Sequence, residues 1–434
     1  MRADRHRAAR FALAVAAALC MAATARAGDG PLVQPHFSDT DARIERVLAL
    51  ANERLALMPG VAAWKWQHRV PVSDPARERL VVASAVRAGA PLGLAAPALE
   101  RLFALQIELA RAEEAGLEQR WRERGFGFTG RVPSLAQEVR PHLDRLTSEL
   151  LRALYLAAPA FARADFSTRY APSATRLLRS AGWSDASRHA LLTDLAAIRL
   201  RALPALPRIE AAHLLRIGTT GDYAPFSAES HGRLAGADIA LARALAAALG
   251  AEPVYVRTSW PRLLSDLRRN EFDLAIGGIS ATPARAALAA LSVPYAATGK
   301  TLIARCADAQ RFASLAAVDR PAVRVIVNPG GTNERYVRTH LARARIVIHP
   351  DNATIFGEIV AGRADVMVTD AVEVALATRR YRQLCRVLPG TLTREEKVIL
   401  MARDPRLAQV VDTWLTREIA AGEPARLLEE ALPR

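Results

Sequence analysis

Lysine is nearly absent from this 434-residue chain: of its 59 Lys and Arg residues, only Lys65, Lys300 and Lys397 are lysines. Where arginine has taken almost every basic position, a lysine that persists is a candidate for a site where the broad guanidinium fork does not fit, with chance survival as the alternative. Gln106, Ala110 and Glu114 follow an i, i+4, i+8 course along a stripe that also holds Leu99, Leu102 and Leu117. Two polar side chains on an otherwise apolar helix face need partners there. Arg54 and Lys65 are eleven residues apart, a spacing that returns to one face on an unbroken helix. Thr332 and Asn333 follow Gly330-Gly331 ahead of a helix, where backbone N–H groups can hold an anion. Glu373 follows a strand end. Exposed, it is an ordinary loop carboxylate; buried, its pKa rises and it can deliver a proton. Three cysteines exclude a disulfide scaffold and a multi-cysteine zinc module, and no metal or cofactor is called for.

The elements that must carry these residues follow from composition and punctuation. Half of the residues are hydrophobic (51%) and 24% are charged, which describes globular material with the length for two to four domains. Met1 to Ala27 opens with Arg2, Arg5, Arg7 and Arg10, continues through an apolar run from Phe11 to Thr24 and ends in Ala25-Arg26-Ala27. This is the pattern of a secretory signal peptide over 1–27, with an apolar part too short to span a bilayer comfortably. Its removal takes five arginines and one aspartate from a chain of formal charge +15. Cys20 leaves as well, so Cys306 and Cys385 remain, in an oxidising compartment where two cysteines can pair. The mature chain is expected to be periplasmic, without stable membrane insertion, and is compatible with a homo-oligomer. Export and scattered arginines, with no basic run of five, argue against a nucleic-acid partner. A basic protein still attracts small anions.

Two periodicities divide the rest. Thr40 or Asp41 is expected to cap a helix with Ile44, Val47, Leu48, Ala51 and Leu55 on one face, and Pro59-Gly60 to kink or end it. Asp74-Pro75 reads as a cap followed by a first-turn proline. Pro97 opens a helix to about Arg124, a loop with Gly125, Gly127 and Gly130 follows, and helices resume near Ser134 and Ser184. Residues 28–200 therefore read as an all-helical domain. Leu203-Pro204-Ala205-Leu206-Pro207 reads as a linker, placed at 201–213. From there short apolar strands are expected at 214–219, 254–256, 272–276, 301–304, 323–327, 345–348 and 366–368, many separated by helical stretches. That alternation argues for parallel α/β sheets over 214–434.

The run Thr219-Thr220-Gly221-Asp222-Tyr223-Ala224-Pro225-Phe226 at the end of the first strand resembles the opening of type II periplasmic solute-binding folds. Those folds have two α/β lobes, a hinge and a ligand cleft at the strand ends. Thr258-Ser259-Trp260-Pro261, Gly278-Ile279-Ser280, Thr298-Gly299-Lys300-Thr301, Asn328-Pro329-Gly330-Gly331-Thr332-Asn333-Glu334, His349-Pro350-Asp351-Asn352 and Thr369-Asp370-Ala371-Val372-Glu373 narrow the match. As an ordered set, covering about Leu214 to Leu432, they resemble the secreted cyclohexadienyl (prephenate/arogenate) dehydratases. The resemblance implies lobe 1 at about 214–304 and 402–434, lobe 2 at about 305–401, and a Cys306–Cys385 bridge. It implies Glu373 as the proton donor, Lys300 and Asn333 as catalytic partners, and Arg285 as a fork on a ligand carboxylate. Thr332, Ser280, Asp222 and Asp370 would contact substrate, and Trp260 and Tyr223 would wall the cleft. Ala240 departs from the binding-protein pattern, which usually has a second acid after Gly236-x-Asp238.

Glu53-Arg54-Leu55, Val61-Ala62-Ala63-Trp64-Lys65-Trp66 and Asp74-Pro75-Ala76-Arg77 resemble the secreted all-helical chorismate mutases of the gamma type. Phe103, Gln106-Ile107 and Glu114 extend the likeness, which covers roughly Asp41 to Leu200. Chorismate rearranges to prephenate without cofactor or covalent intermediate, so the protein must hold a dianion in a compact conformer and stabilise its ether oxygen. The resemblance implies Arg54 and Arg77 on the carboxylates, Lys65 and Glu114 at the ether oxygen, and Gln106 as a further contact. By composition alone, Arg54 and Arg77 read as a solvated helix face. Ala110 stands where a small hydroxyl residue is common, and Val81 replaces a polar residue. Glu149 falls where an arginine aligns, with Arg145 or Arg152 as candidates to replace it. The product of one implied reaction is the substrate of the other. The expectation is a multidomain, exported, bifunctional enzyme acting on chorismate and prephenate. The alternatives are an amino-acid-binding protein fused to a helical module, or a dehydratase with a degenerate mutase domain.

Overall fold

The computed structural model describes residues 35–125 and 127–432. The signal-peptide expectation over 1–27 lies outside them.

The helical half starts where side chains satisfy free backbone groups. Asp39, rather than Thr40 or Asp41, caps α1 (Thr40–Leu55), its carboxylate accepting from the Asp41 N–H at 2.9 Å. The stripe Ile44, Val47, Leu48, Ala51 and Leu55 is buried. The break falls just before Pro59, which sits in the first turn of α2 (Met58–His68), where its missing N–H costs nothing. Asp74 caps α3 (Pro75–Gly89), accepting from the Arg77 N–H at 3.0 Å. The long α4 (Ala96–Arg124) has Pro97 in its first turn and ends at Gly125, whose φ of 74° favours glycine. A π-turn over 135–139, capped by Ser134, leads into α5 (Arg140–Phe161); α6 (Phe166–Leu177) and α7 (Asp185–Ala196) complete the domain. Leu99, Leu102 and Phe103 of α4 and Leu150, Leu151 and Leu154 of α5 close over the α1 stripe. Each such fully buried side chain contributes about 1.5–3 kcal/mol.

The segment expected as a linker is mostly helix: α8 spans Ala205–Ala212. Its two prolines, Pro204 and Pro207, fall at the cap and in the first turn, where they do not break a helix. Ala205 and Ile209 are buried in the core of the following lobe.

That lobe is a five-stranded sheet of β1 (Leu214–Thr219), β2 (Glu252–Arg257), β3 (Leu274–Ala275), β4 (Ala290–Leu291) and β12 (Leu400–Met401), in the order β2-β1-β3-β12-β4. The second lobe holds β6 (Lys300–Arg305), β7 (Arg324–Val327), β8 (Arg345–Ile348), β9 (Val366–Asp370) and β10 (Leu384–Arg386), in the order β8-β7-β9-β6-β10. In both, the central parallel strands end toward the gap between lobes, the usual place for a ligand in open α/β sheets. Two short antiparallel strands, β5 (Ala296–Thr298) and β11 (Glu395–Lys397), join the lobes. Sheet membership changes on either side of this pair, so β6 belongs to the second lobe and β12 to the first. The boundaries expected at 304/305 and 401/402 are each displaced by about one strand, because the apolar run through 300–305 carries no mark of the sheet it joins. Cys306 and Cys385 are joined in a disulfide that ties the end of β6 to its neighbour β10, with Cα atoms 4.8 Å apart.

The helical domain and the first lobe share a buried polar junction. Arg216 on β1 is 1% exposed; it donates to Asp273 at 2.7 and 3.1 Å and lies 4.6 Å from the ring centroid of Tyr155 on α5. Arg208 of α8 reaches the same carboxylate at 3.4 Å. Asp273 thus balances two guanidinium groups in a dry place. Replacing Asp273 with Ala leaves both uncompensated and is expected to destabilise the chain by about 3–5 kcal/mol, read from the urea midpoint; a change under about 1 kcal/mol would refute this account.

Candidate active sites

The gap between the lobes gathers side chains from distant parts of the sequence. Glu373 lies in the first turn of the helix Ala371–Arg380, directly after β9, and is 5% exposed. It is therefore no solvated loop carboxylate. One of its oxygens accepts from the Asn352 amide at 3.3 Å and the other from the Thr369 hydroxyl. Burial and the charge of Asp370 push its pKa up to about 7, against the pull of its hydrogen bonds and of Lys397. Asp370 goes the other way. Burial would raise it, but Lys397 at 2.8 Å and Lys300 at 3.5 Å outweigh burial and hold it down to about 2. Two carboxyls three residues apart are thus split into a proton carrier and a fixed anion.

Lys300 and Lys397 are both 1% exposed. Lys300 donates to Asn333 at 2.6 Å and Thr332 at 3.0 Å and pairs with Glu395 at 3.0 Å. Lys397 donates to Ser280 at 3.0 Å and Tyr223 at 3.3 Å. Arg285, 5% exposed, donates to the Ser280 carbonyl at 2.6 Å and sits 6.0 Å from the Trp260 ring centroid. Burial lowers its pKa to about 10, with Arg335 adding to the effect. Among the described residues no carboxylate lies within ion-pair distance of Arg285, so a desolvated fork faces the gap without a counter-charge. Trp260 and Tyr223 meet edge to face at 5.9 Å and form one wall. Burial raises the Asp222 pKa, and its backbone carbonyl accepts from Asn352 across the gap at 2.9 Å. The space between these side chains is about 340 Å³, counting its mouth to solvent, of which about 30 Å³ admits the centre of a water molecule. The lobes are closed on their own side chains, so a ring-sized ligand enters only when they part.

All ten residues singled out for this half, Glu373, Lys300, Asn333, Arg285, Thr332, Trp260, Tyr223, Asp222, Ser280 and Asp370, lie at or directly behind this gap. Three others were missed as site residues: Lys397, Glu395 and Asn352. Lysine scarcity pointed at Lys397. Asn352 lies inside one of the quoted motifs. Glu395 carried no signal, being one more acid in Arg394-Glu395-Glu396.

The helical half forms two polar pairs. Arg54, 7% exposed, donates to Gln106 at 3.2 Å, to the Leu143 carbonyl at 3.2 Å and to Thr147. Burial lowers its pKa to about 10. Lys65 pairs with Glu114 at 2.7 Å and donates to the Val72 carbonyl at the same distance. Burial raises the Glu114 pKa despite the Lys65 hydrogen bond. The pairs stand two helical turns apart along α4, about 12 Å. Beside Lys65 and Glu118 opens a cavity of about 500 Å³. Arg77 does not join them: its side chain is exposed, and its N–H serves the Asp74 cap. The arginines weighed as replacements at Glu149 are spent on surface pairs, Arg145 with Glu149 at 3.8 Å and Arg152 with Glu252 at 3.3 Å.

Comparison with known proteins assigns the two halves separately. Residues 215–433 match the bacterial extracellular solute-binding proteins, family 3, over half of the chain. The chain belongs to this family. Residues 39–115 match chorismate mutase type II. Within the solute-binding half, the chain is 46% identical over 229 residues to the cyclohexadienyl dehydratase of Pseudomonas aeruginosa, covering 52% of this chain and 85% of that protein. It is 31% identical over 163 residues to the histidine-binding periplasmic protein of Salmonella typhimurium, covering 36% of this chain and 61% of that protein. Among solved structures, an ancestral amino acid-binding protein described as a precursor of cyclohexadienyl dehydratase superposes with a TM-score of 0.50 at 33% identity, covering 52% of this chain and 99% of that one. Family membership places an extracellular fold on this half, which agrees with export.

Glu373 gives the family's cleft in this chain a pH signature. Its folded pKa of about 7 lies above the ordinary 4.5. The favourable, neutral state is complete below 4.5 and is lost as pH rises through 7. Relative to Glu373→Gln, the unaltered chain is expected to lose about 3 kcal/mol between pH 4.5 and 8, measured by urea unfolding at each pH. Parallel pH profiles of the two would refute the assignment.

Proposed function

We propose that the mature chain is a periplasmic bifunctional enzyme that converts chorismate to prephenate in the helical domain and prephenate to phenylpyruvate in the two-lobed domain. The dehydratase likeness at 46% identity and the chorismate mutase match support the pairing. The observation that carries the second activity is the buried Glu373, its pKa raised to about 7, beside a fixed anion. Capture of an amino acid, as the name of the histidine-binding relative describes, needs no proton donor at that place.

The substrate of the second reaction carries two carboxylates and a ring hydroxyl. Arg285 supplies an unpaired fork for one carboxylate. Glu373 gives its proton to the hydroxyl; the C–O bond breaks and water leaves. The ring carboxylate departs as CO2 and leaves its bonding pair to complete the aromatic ring. Lys300 holds Asn333 and Thr332 at the mouth of the Gly330-Gly331 turn, oriented toward the substrate. Closure of the lobes keeps bulk water from the donor. In the helical domain the desolvated Arg54 holds a carboxylate of chorismate, while Lys65 and Glu114, whose pKa burial raises, stabilise charge on the breaking ether oxygen. Gln106 keeps the Arg54 fork in place. The exposed Arg77 would close onto the second carboxylate only after moving.

Glu373→Gln is expected to lower prephenate turnover by about 10²–10⁴-fold and to leave chorismate turnover within twofold. In the unaltered chain, kcat/KM for prephenate is expected to fall above a pKa near 7, because the acid must be protonated in the free enzyme. Undiminished aromatisation by the variant would overturn the dehydratase reading. Lys65→Ala is expected to abolish chorismate turnover while prephenate turnover persists. Full chorismate turnover by that variant would overturn the mutase site, and no turnover by the unaltered chain would mark the helical domain as degenerate.

A further inference from the structure

The short segment ahead of α1 belongs to the helical domain by sequence, and Ser38 accepts from Arg43 of α1, yet its backbone N–H and bridge pairing run to the other domain. Phe37 forms a parallel bridge with Tyr255 on β2, the edge strand of the first-lobe sheet, and the Ser38 N–H donates to the Tyr255 carbonyl at 2.8 Å. The Pro35 carbonyl accepts from the Leu234 N–H at 2.7 Å. Leu234 lies in a small three-stranded flap, Asp222–Tyr223, Ser227–Ser230 and Arg233–Ala235, which directly follows β1. The segment therefore bonds the main sheet on one side and the flap on the other.

Its side chain continues the link. The Phe37 ring covers Gly221 so closely that a Cβ there would come within 2.9 Å of it, and the φ of 68° at Gly221 also favours glycine. The Arg257 guanidinium lies 3.9 Å from the Phe37 ring centroid and pairs with Glu229 of the flap. The Glu229 N–H donates back to the Gly221 carbonyl at 2.8 Å. Gly221 immediately precedes Asp222 and Tyr223. Tyr223 hydrogen-bonds Asp370 across the gap, and the Asp222 carbonyl receives the Asn352 amide. A chain of direct contacts thus runs from Phe37 to the fixed anion beside Glu373.

We propose that residues 35–38 act as an additional edge strand of the dehydratase lobe, and that Phe37 is a positioning residue that holds the Gly221–Tyr223 loop in register with Asp370. The proposal rests on the dehydratase reading of the cleft. It makes the second active site depend on chain that precedes the first.

The test uses the full mature chain with Phe37→Ala and, as the conservative replacement, Phe37→Tyr. Phe37→Ala is expected to raise KM for prephenate about tenfold with a smaller change in kcat, to leave chorismate kcat/KM within twofold, and to speed amide exchange across 219–235 about tenfold. Phe37→Tyr, which keeps the ring over Gly221 and Arg257, is expected to restore all three. An unchanged prephenate KM with unchanged exchange overturns the proposal. So does an equal fall in both activities, which marks a general loss of stability. If the unaltered chain does not turn over prephenate, the dehydratase reading fails, and the exchange across 219–235 still decides whether Phe37 holds the loop.

Discussion

The buried pair between Lys397 and Asp370 is the interaction on which the cleft depends. Neither group could be charged there alone, because an isolated ion in a dry interior pays a desolvation cost of several kcal/mol. Together, and with Lys300 behind, they make a stable anion at the end of β9. That anion and the absence of water lift the neighbouring carboxyl, Glu373, to a pKa of about 7, within reach of neutral pH. Desolvation raises both carboxyls, and the outcomes diverge because Asp370 pairs directly with two lysines while Lys397 acts on Glu373 only weakly. The same division of labour recurs in simpler form in the helical domain. There Lys65 neutralises part of the charge on a buried Glu114, while Arg54 is kept desolvated with neutral partners only.

The placement of the lysines is a consequence of the hinge. Lys300 begins β6 immediately after β5, and Glu395 and Lys397 lie on β11, the partner of β5. Strand alternation puts Glu395 and Lys397 on one face, two residues apart. From there Glu395 bonds Ser280 of one lobe at 2.7 Å and Lys300 of the other at 3.0 Å, and Lys397 joins Ser280 to Asp370. The polar network around Glu373 and Asp370 is thus one that bridges the two lobes.

The two domains are joined through packed structure and not through a tether. Helix α8 is built into the first lobe, Arg216 stacks on Tyr155, and Arg152 pairs with Glu252. Helix α5, which supplies the Leu143 carbonyl and Thr147 to Arg54, is the same helix that presents Tyr155 to Arg216. The Arg54 site in one domain and the cleft in the other therefore stand on a common framework, in a chain whose basic excess attracts small anions.

Sequence alone determined the division into a helical and an α/β half, most helix starts, the strand at 214–219 and a set of residues that gathers at the gap between the lobes. Caps, prolines and hydrophobic period are local signals, and ordered motifs in a known family carry their positions with them. What it could not settle were quantities made only by convergence. The family resemblance pointed to Glu373, but taken by itself it is a turn carboxylate, and the burial and Asp370 charge that raise its pKa come from outside its own segment. Lys397 stood out by scarcity, yet nothing local says that its partner is Asp370. Glu395 looked like any acid in a charged run, and Pro204 and Pro207 looked like a linker although they open a helix. Arg77 kept its motif but lies exposed, because a cap fixes a backbone and not the end of a long side chain. Burial and charge pairing are properties of neighbours in space, and only the tertiary structure decides who the neighbours are.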